Sequence, residues 1–284
     1  KKQLSDIAVA LHEKICAYPL FCKALPAFGI CISKNHMDIS LMCDYADMAL
    51  QKIKGKAYAI YEFYDDKMRK EMMREKRIEN NVAMALRDEE FKVYIQPKVD
   101  MRSGEIIGGE ALIRWHSVKE GIIYPDEFIP VLEKSGYIVD VDAYVCEKVF
   151  AAIHIWKTGG ITPVPISVNV SRSHVYQKSF ARVLEKLAQQ YDVEPYYVPL
   201  EVTESMFTEY VDKLYENITK LQSEGFRFSM DDFGAGYSSL NMLKDEPVDE
   251  VKIDRFFLKD IKKEKSQIVI RNVIHMIQEL KLDM

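Results

Sequence analysis

The chain has 284 residues, 48% of them hydrophobic and 29% charged, with a formal net charge of −5; this is the make-up of folded domains, one large and one smaller, and it excludes a disordered chain. Without an overall basic field, a sequence-independent nucleic-acid binder that works by neutralising phosphates is excluded as well. No apolar run reaches the roughly 18 residues of a membrane span, and no signal-peptide core follows Lys1-Lys2-Gln3-Leu4. Cys16, Cys22, Cys31, Cys43 and Cys146 lack the close pairing of a zinc knuckle or a redox site. Reduced thiols and a cytoplasmic setting without membrane contact are the expectation.

Residues 1–65 read as helix, strand, helix, strand over Leu4–Tyr18, Phe28–Ser33, Leu41–Ile53 and Ala57–Phe63. So small a unit buries a modest share of its surface, and its first helix begins without a cap. A partial domain that starts upstream of Lys1 is expected. From Asp65 to Glu90 charge is dense and Pro and Gly are absent, while Met68, Met72, Ile78, Val82 and Leu86 recur at about four-residue spacing. This predicts a connecting amphipathic helix over 66–89, with acids and bases mixed on a solvated face rather than a nucleic-acid patch.

From residue 90 onward short apolar runs alternate with longer helical stretches. Strands are predicted at Phe91–Pro97, Ile106–Ile113, Val164–Val170, Val198–Thr203, Phe226–Met230 and Glu250–Ile253. Helices are predicted at Asp126–Lys134, Val139–Trp156, Ser173–Gln190, Glu209–Ser223 and Ser266–Leu282. Such alternation implies an α/β fold with a parallel sheet. Successive strands deliver Glu110, Asn169, Glu201, the Asp231-Asp232 pair and Lys252, and a (β/α)8 TIM-like barrel gathers groups from many strand ends onto one face, where an open doubly wound sheet does not. Six strands stand where a barrel needs eight, so the domain over 90–284 is expected to be C-terminally incomplete, lacking its last two strands.

Glu110, Asn169, Glu201, Asp231 and Asp232 form an oxygen-only set, suited to Mg²⁺ or Mn²⁺ rather than zinc. Adjacent aspartates allow one to bridge two ions while its neighbour holds the second, as in two-metal phosphoryl chemistry. Lys252 is placed to orient a water or to stabilise charge developing on phosphate. Taken singly, Glu110 reads equally well as a structural ion pair with Arg114 or Lys252, and Asp-Asp-Phe-Gly-Ala-Gly as a turn. Four carboxylates gathered together are costly to bury unless cations neutralise them, which favours metal binding.

The run Gly109-Glu110-Ala111-Leu112-Ile113-Arg114-Trp115 resembles the signature of the EAL-domain cyclic di-GMP phosphodiesterases. The resemblance continues through Ser167-Val168-Asn169-Val170-Ser171, Leu200-Glu201-Val202-Thr203-Glu204-Ser205, Asp231-Asp232-Phe233-Gly234-Ala235-Gly236-Tyr237-Ser238-Ser239-Leu240 and Val251-Lys252-Ile253-Asp254. It implies that Glu110, Asn169, Glu201 and Asp231 bind a first metal, with Asp231 and Asp232 serving a second. It also implies that Gln96, Leu112 and Arg114 contact the dinucleotide, that Lys252 assists the water, and that Glu204 braces the loop from Asp232 to Ser239. The product implied is linear pGpG, the assembly a homodimer, and Ca²⁺, which relaxes coordination geometry, an expected inhibitor. A catalytically silent cyclic di-GMP receptor is the runner-up, and an enolase-like barrel enzyme the third reading. Residues 27–63, notably Phe28-Gly29-Ile30 and Cys43-Asp44-Tyr45-Ala46-Asp47-Met48-Ala49-Leu50, resemble the second half of a GGDEF diguanylate cyclase domain, a regulatory or structural remnant.

Overall fold

The computed structural model describes residues 1–19, 24–33, 37–56, 58–208, 211–234, 243 and 247–284. The chain divides into two compact units, Lys1–Asn80 and Asn81–Met284. A helix does form where one was predicted, α3 (Asp66–Arg87), and the division falls inside it.

In the first unit α1 (Lys2–Ala17) and α2 (Ile39–Ile53) accompany two short parallel strands, β1 (Phe28–Ile30) and β2 (Tyr61–Phe63), paired Phe28 to Tyr61 through Ile30 to Phe63. Both strands are shorter than the apolar runs predicted, and Ala57 lies outside the described residues. Gly29 is required where α2 crosses: a Cβ there would stand 1.8 Å from the Ala46 carbonyl oxygen. Tyr45, Ala49 and Ile53 supply the buried face of α2, and Tyr45 stacks on Tyr64 at 4.1 Å between ring centroids.

The second unit is built on one sheet of seven strands. In order along the sheet these are β3 (Phe91–Val99), β4 (Ile106–Ser117), β6 (Ile166–Asn169), β7 (Leu200–Thr203), β8 (Phe228–Phe233) and β9 (Glu250–Ile253), with β5 (Gly121–Ile123) paired to the far end of β4. From β4 to β9 every neighbouring pair is parallel. The expectation of an all-parallel sheet is corrected at its start, where β3 and β4 are antiparallel. The Asp100–Glu105 connection is far shorter than the dozen or so residues a parallel crossover needs. It closes as a turn in which the Asp100 carboxylate accepts from the Arg102 and Ser103 amides at 2.9 and 2.7 Å and Gly104 adopts φ +75°. Strand β5 was not foreseen, its Gly-Ile-Ile being too brief for a periodic signal. Among the described residues the sheet stays open; beyond β9, Asp283 forms a parallel bridge with Glu250.

Helices α4 (Pro125–Ser135), α5 (Ile138–Thr158), α6 (Arg172–Val175), α7 (Lys178–Tyr191), α8 (Val211–Ser223) and α9 (Glu264–Glu279) accompany the strands. Glu209, where a helix was expected to begin, lies outside the described residues. The single helix predicted over Ser173–Gln190 is instead two, broken at Tyr176-Gln177. Asn217 of α8 donates to the Val175 carbonyl at 2.8 Å, taking the acceptor that the next turn of a continuous helix would use.

Alternation along the strands gives the sheet two unlike faces. One face carries Ile166, Val168, Leu200, Val202, Phe228, Met230 and Val251, all buried, and joins Phe150, Ile153, Leu184, Leu214, Ile218 and Ile277 from the helices in the core. The other carries Gln96 and Lys98, Glu110 and Leu112, Ser167 and Asn169, Glu201 and Thr203, Ser229 and Asp231, Glu250 and Lys252. No described helix is long and apolar enough to cross a membrane.

Candidate functional site

The polar face converges on Glu201. It is the second residue of β7 and only 1% exposed, so its carboxylate has no route to bulk water. Lys252 of β9 reaches across to it with Nζ 2.6 Å from Glu201 Oε2, and the same ammonium lies 3.0 Å from Glu110 Oε2 and 3.2 Å from Asp231 Oδ1. Oxygens of Glu110, Glu201 and Asp231 all lie within 4.8 Å of one another. Asn169, at the end of β6, donates to Glu110 Oε1 at 2.9 Å. Four of the predicted residues are thus brought together with Lys252.

Asp232 stands apart from that trio. The ladder between β8 and β9 slips between Met230 and Phe233, and Asp232 takes φ +56° at the irregularity, a conformation that aspartate tolerates better than most residues. Its amide donates to Asp231 Oδ1 at 2.9 Å, which fixes the orientation of that carboxylate. Burial first, then the charges of Asp231 and Asp254, hold the Asp232 carboxyl above the usual carboxylate range. Burial alone would raise Glu201 too, but attraction to Lys252 and Lys98 outweighs it and the group lies below its ordinary value. Burial would lower Lys252, and the surrounding Glu201, Asp231 and Glu110 overcome that to raise it, so it remains an ammonium ion.

Glu204, in the short 3₁₀ turn after β7, is buried and accepts from the Gly234 amide at 3.0 Å. Gly234 has φ +89°, and a Cβ there would sit 1.9 Å from Phe257. The remainder of the predicted loop, Ala235 to Ser239, lies outside the described residues. Gln96 lies directly across the β3–β4 ladder from Glu110 and is exposed. Leu112 and Arg114 follow Glu110 along β4 and border a cavity of about 310 Å³ that also takes in Asn169 and Thr203, with Ile129, Val141 and Met206 as apolar walls. The Arg114 guanidinium donates to the Ile113 carbonyl at 2.8 Å. Below the rim, Asp142 Oδ2 accepts from the Ser171 amide and hydroxyl at 2.9 and 2.6 Å, steadying the turn that follows Asn169.

Sequence reasoning missed Lys98, whose Nζ lies 3.1 Å from Glu201 Oε1. Its signal was the period of two that places it on the same face of β3 as Gln96.

As a donor set, these groups fit a hard divalent cation. The ligand atoms are all oxygens, from Glu110, Glu201 and Asp231 with the Asn169 amide beside them. Among the described residues, the cations that meet Glu110, Glu201, Asp231 and Asp232 are Lys98 and Lys252, which leaves an excess of negative charge. The fold and site therefore define an α/β protein whose parallel strands present an acidic, cation-compatible centre beside an apolar cavity.

The chain belongs to the EAL domain family, whose model matches residues 79–284. Cyclic di-GMP phosphodiesterase PdeR of Escherichia coli is 30% identical over 256 residues, covering 89% of this chain and 38% of that protein. The bifunctional diguanylate cyclase/cyclic di-GMP phosphodiesterase MucR of Pseudomonas aeruginosa is 31% identical over 229 residues, 81% of this chain and 33% of that one. A solved structure of the PaMucR phosphodiesterase in complex with c-di-GMP superposes with a TM-score of 0.67 at 31% identity, covering 72% of this chain and 84% of that chain. The chain spans about a third of the length of the curated relatives it matches.

Proposed function

We propose that this chain is the catalytic domain of a phosphodiesterase that hydrolyses cyclic di-GMP to linear pGpG by attack of water, with two Mg²⁺ or Mn²⁺ ions and with Ca²⁺ inhibitory. The observation that carries the reading is the meeting of Glu110, Glu201 and Asp231 around Lys252 on the polar face of the sheet. The names of PdeR and MucR and the c-di-GMP complex of the latter agree with it. When bound, divalent ions lower the pKa of water and offset charge on the phosphodiester.

Glu110, Asn169, Glu201 and Asp231 would hold one ion, and Asp231 with Asp232 the other. Lys252 already bridges three of these carboxylates. In the reaction its ammonium orients the water and meets the charge that grows on phosphate. Gln96, Leu112 and Arg114 bind the dinucleotide, the leucine and arginine from the border of the apolar cavity. This local cationic help is necessary because the chain as a whole carries a net charge of −5. Glu204 holds the Gly234 amide two residues after Asp232.

The same reading takes the sheet to close as a (β/α)8 barrel in the intact protein, residues 1–65 as a GGDEF-like remnant, 66–89 as the link, and the working form as a cytoplasmic homodimer. Incubation of the intact protein with cyclic di-GMP and Mg²⁺ or Mn²⁺, with products resolved by chromatography, tests the activity. Formation of pGpG that is lost in Glu110→Ala is expected; binding without pGpG would replace the enzyme with a receptor.

A further inference from the structure

We propose that Lys98 is a positioning residue that limits Glu201 to a single oxygen at the metal-binding centre and so sets the preference of that centre for small divalent cations over Ca²⁺. The inference rests on the reading of Glu110, Glu201 and Asp231 as metal ligands.

Glu201 carries one ammonium on each oxygen. Lys252 takes Oε2 at 2.6 Å, on the side shared with Glu110 and Asp231, and Lys98 takes Oε1 at 3.1 Å. The buried carboxylate cannot trade these partners for water. Lys98 projects from β3 opposite Gly108, and a Cβ built on that glycine would lie 3.8 Å from Lys98 Cδ. Its ammonium is held from the other side by Glu250 Oε2 at 3.8 Å, and Glu250 in turn accepts from the Ser229 hydroxyl. Ser229, Glu250, Lys98 and Glu201 thus form a chain of contacts on the polar face. Lys98, Ser229 and Glu250 also line a second cavity with Arg227 and Asp283, away from Arg114 and Asn169. The proposed hydrolysis uses none of this chain except Glu201.

A carboxylate with one oxygen committed to a fixed ammonium offers only the other to a cation. Mg²⁺ demands near-ideal octahedral geometry and suits such single-oxygen donors, whereas Ca²⁺ takes more oxygens and accepts bidentate carboxylates readily. Removing the Lys98 ammonium frees Oε1. The lost positive charge helps every divalent cation alike, while the extra oxygen favours Ca²⁺, so the ratio of the two affinities isolates the positional effect.

The experiment is calorimetric titration of the metal-free intact protein with MgCl₂, MnCl₂ and CaCl₂ in separate runs, for wild type, Lys98→Met and Lys98→Arg. In Lys98→Met the Ca²⁺/Mg²⁺ affinity ratio is expected to move toward Ca²⁺ by about tenfold, and in Lys98→Arg to stay near the wild-type value. An unchanged ratio in Lys98→Met, or an equal shift in Lys98→Arg, overturns the proposal. A merely structural lysine would weaken both ions together and leave the ratio fixed. If Lys98→Met fails to fold by thermal melting, Lys98→Leu, which likewise offers Glu201 no donor, carries the same test with the same two outcomes. Failure of the wild type to bind any of the three cations overturns both this proposal and the metal-dependent reading; binding with an unmoved ratio overturns this one alone.

Discussion

Replacing Lys252 with methionine keeps the aliphatic stem and removes the charge that three carboxylates share. Its Nζ lies between 2.6 and 3.2 Å from Glu201, Glu110 and Asp231, and its side chain is 22% exposed. Breaking a buried pair by deleting one partner costs about 3–5 kcal/mol, most of it from the charge left behind. Glu201 would retain Lys98, and the Glu110 and Asp231 side chains are themselves about one-fifth exposed. The lower end therefore applies, a loss of about 3 kcal/mol in the metal-free protein. A divalent cation at the same carboxylates would restore part of that, since a ligand at 100 times its Kd stabilises by about 2.7 kcal/mol. Both tryptophans, Trp115 and Trp156, belong to the second unit, so urea unfolding followed by their fluorescence reports on the unit that holds the site. The measurement is made in EDTA and again in saturating Mn²⁺. A loss below about 0.5 kcal/mol in EDTA, or the same loss in both buffers, would refute the view that Lys252 supplies the missing countercharge.

Three further outcomes follow from other parts of the molecule. Glu110→Ala should lower kcat for cyclic di-GMP by at least about a hundredfold while Trp fluorescence and unfolding stay near wild type, as steady-state kinetics would record. Gly234→Ala forces a Cβ toward the Phe257 ring at φ +89°, and thermal unfolding should report a cost of about 1–3 kcal/mol together with loss of activity through the Glu204 contact. Cys146 is fully buried, and burial pushes its thiol above the ordinary value of 9.0. The native protein should therefore protect this cysteine from alkylation at pH 8 while Cys16 and Cys43, both exposed, react. Because the folded thiol binds its proton more tightly than the unfolded one, its contribution to stability is present below the ordinary value of 9.0 and is lost as pH rises beyond it. The slope from this group approaches about 1.4 kcal/mol per pH unit; denaturant midpoints that fall equally in wild type and Cys146→Ala above pH 9.0 would contradict this.

Glu110, Asn169, Glu201, Asp231 and Lys252 were legible because each interrupts an apolar run, and a polar residue inside such a run has to answer to something. The strands that carry them were legible for the same reason, since their other faces are mostly Val, Ile, Leu, Phe and Met, with Ala111 on β4. Strand direction was not, because an apolar run has no polarity of its own; only the turn residues Asp100 and Gly104 announce that β4 returns beside β3. The break between α6 and α7 could not be read locally at all, because the donor that ends α6, Asn217, lies 42 residues from the carbonyl it caps. Lys98 escaped for a subtler reason. On a strand that reads as edge-like and solvated, a lysine is the expected surface residue, and its tie to a buried glutamate 103 residues away exists only once the sheet has formed. The residues that interrupt apolar runs thus mark where charge is concentrated, whereas the residues that make such a concentration tolerable lie on neighbouring strands and look ordinary. Under the proposed metal-binding reading, stability and cation choice would meet in Glu201, whose two oxygens are each committed to a different lysine: a substitution at either lysine would change both the cost of keeping that carboxylate buried and what it could offer a metal.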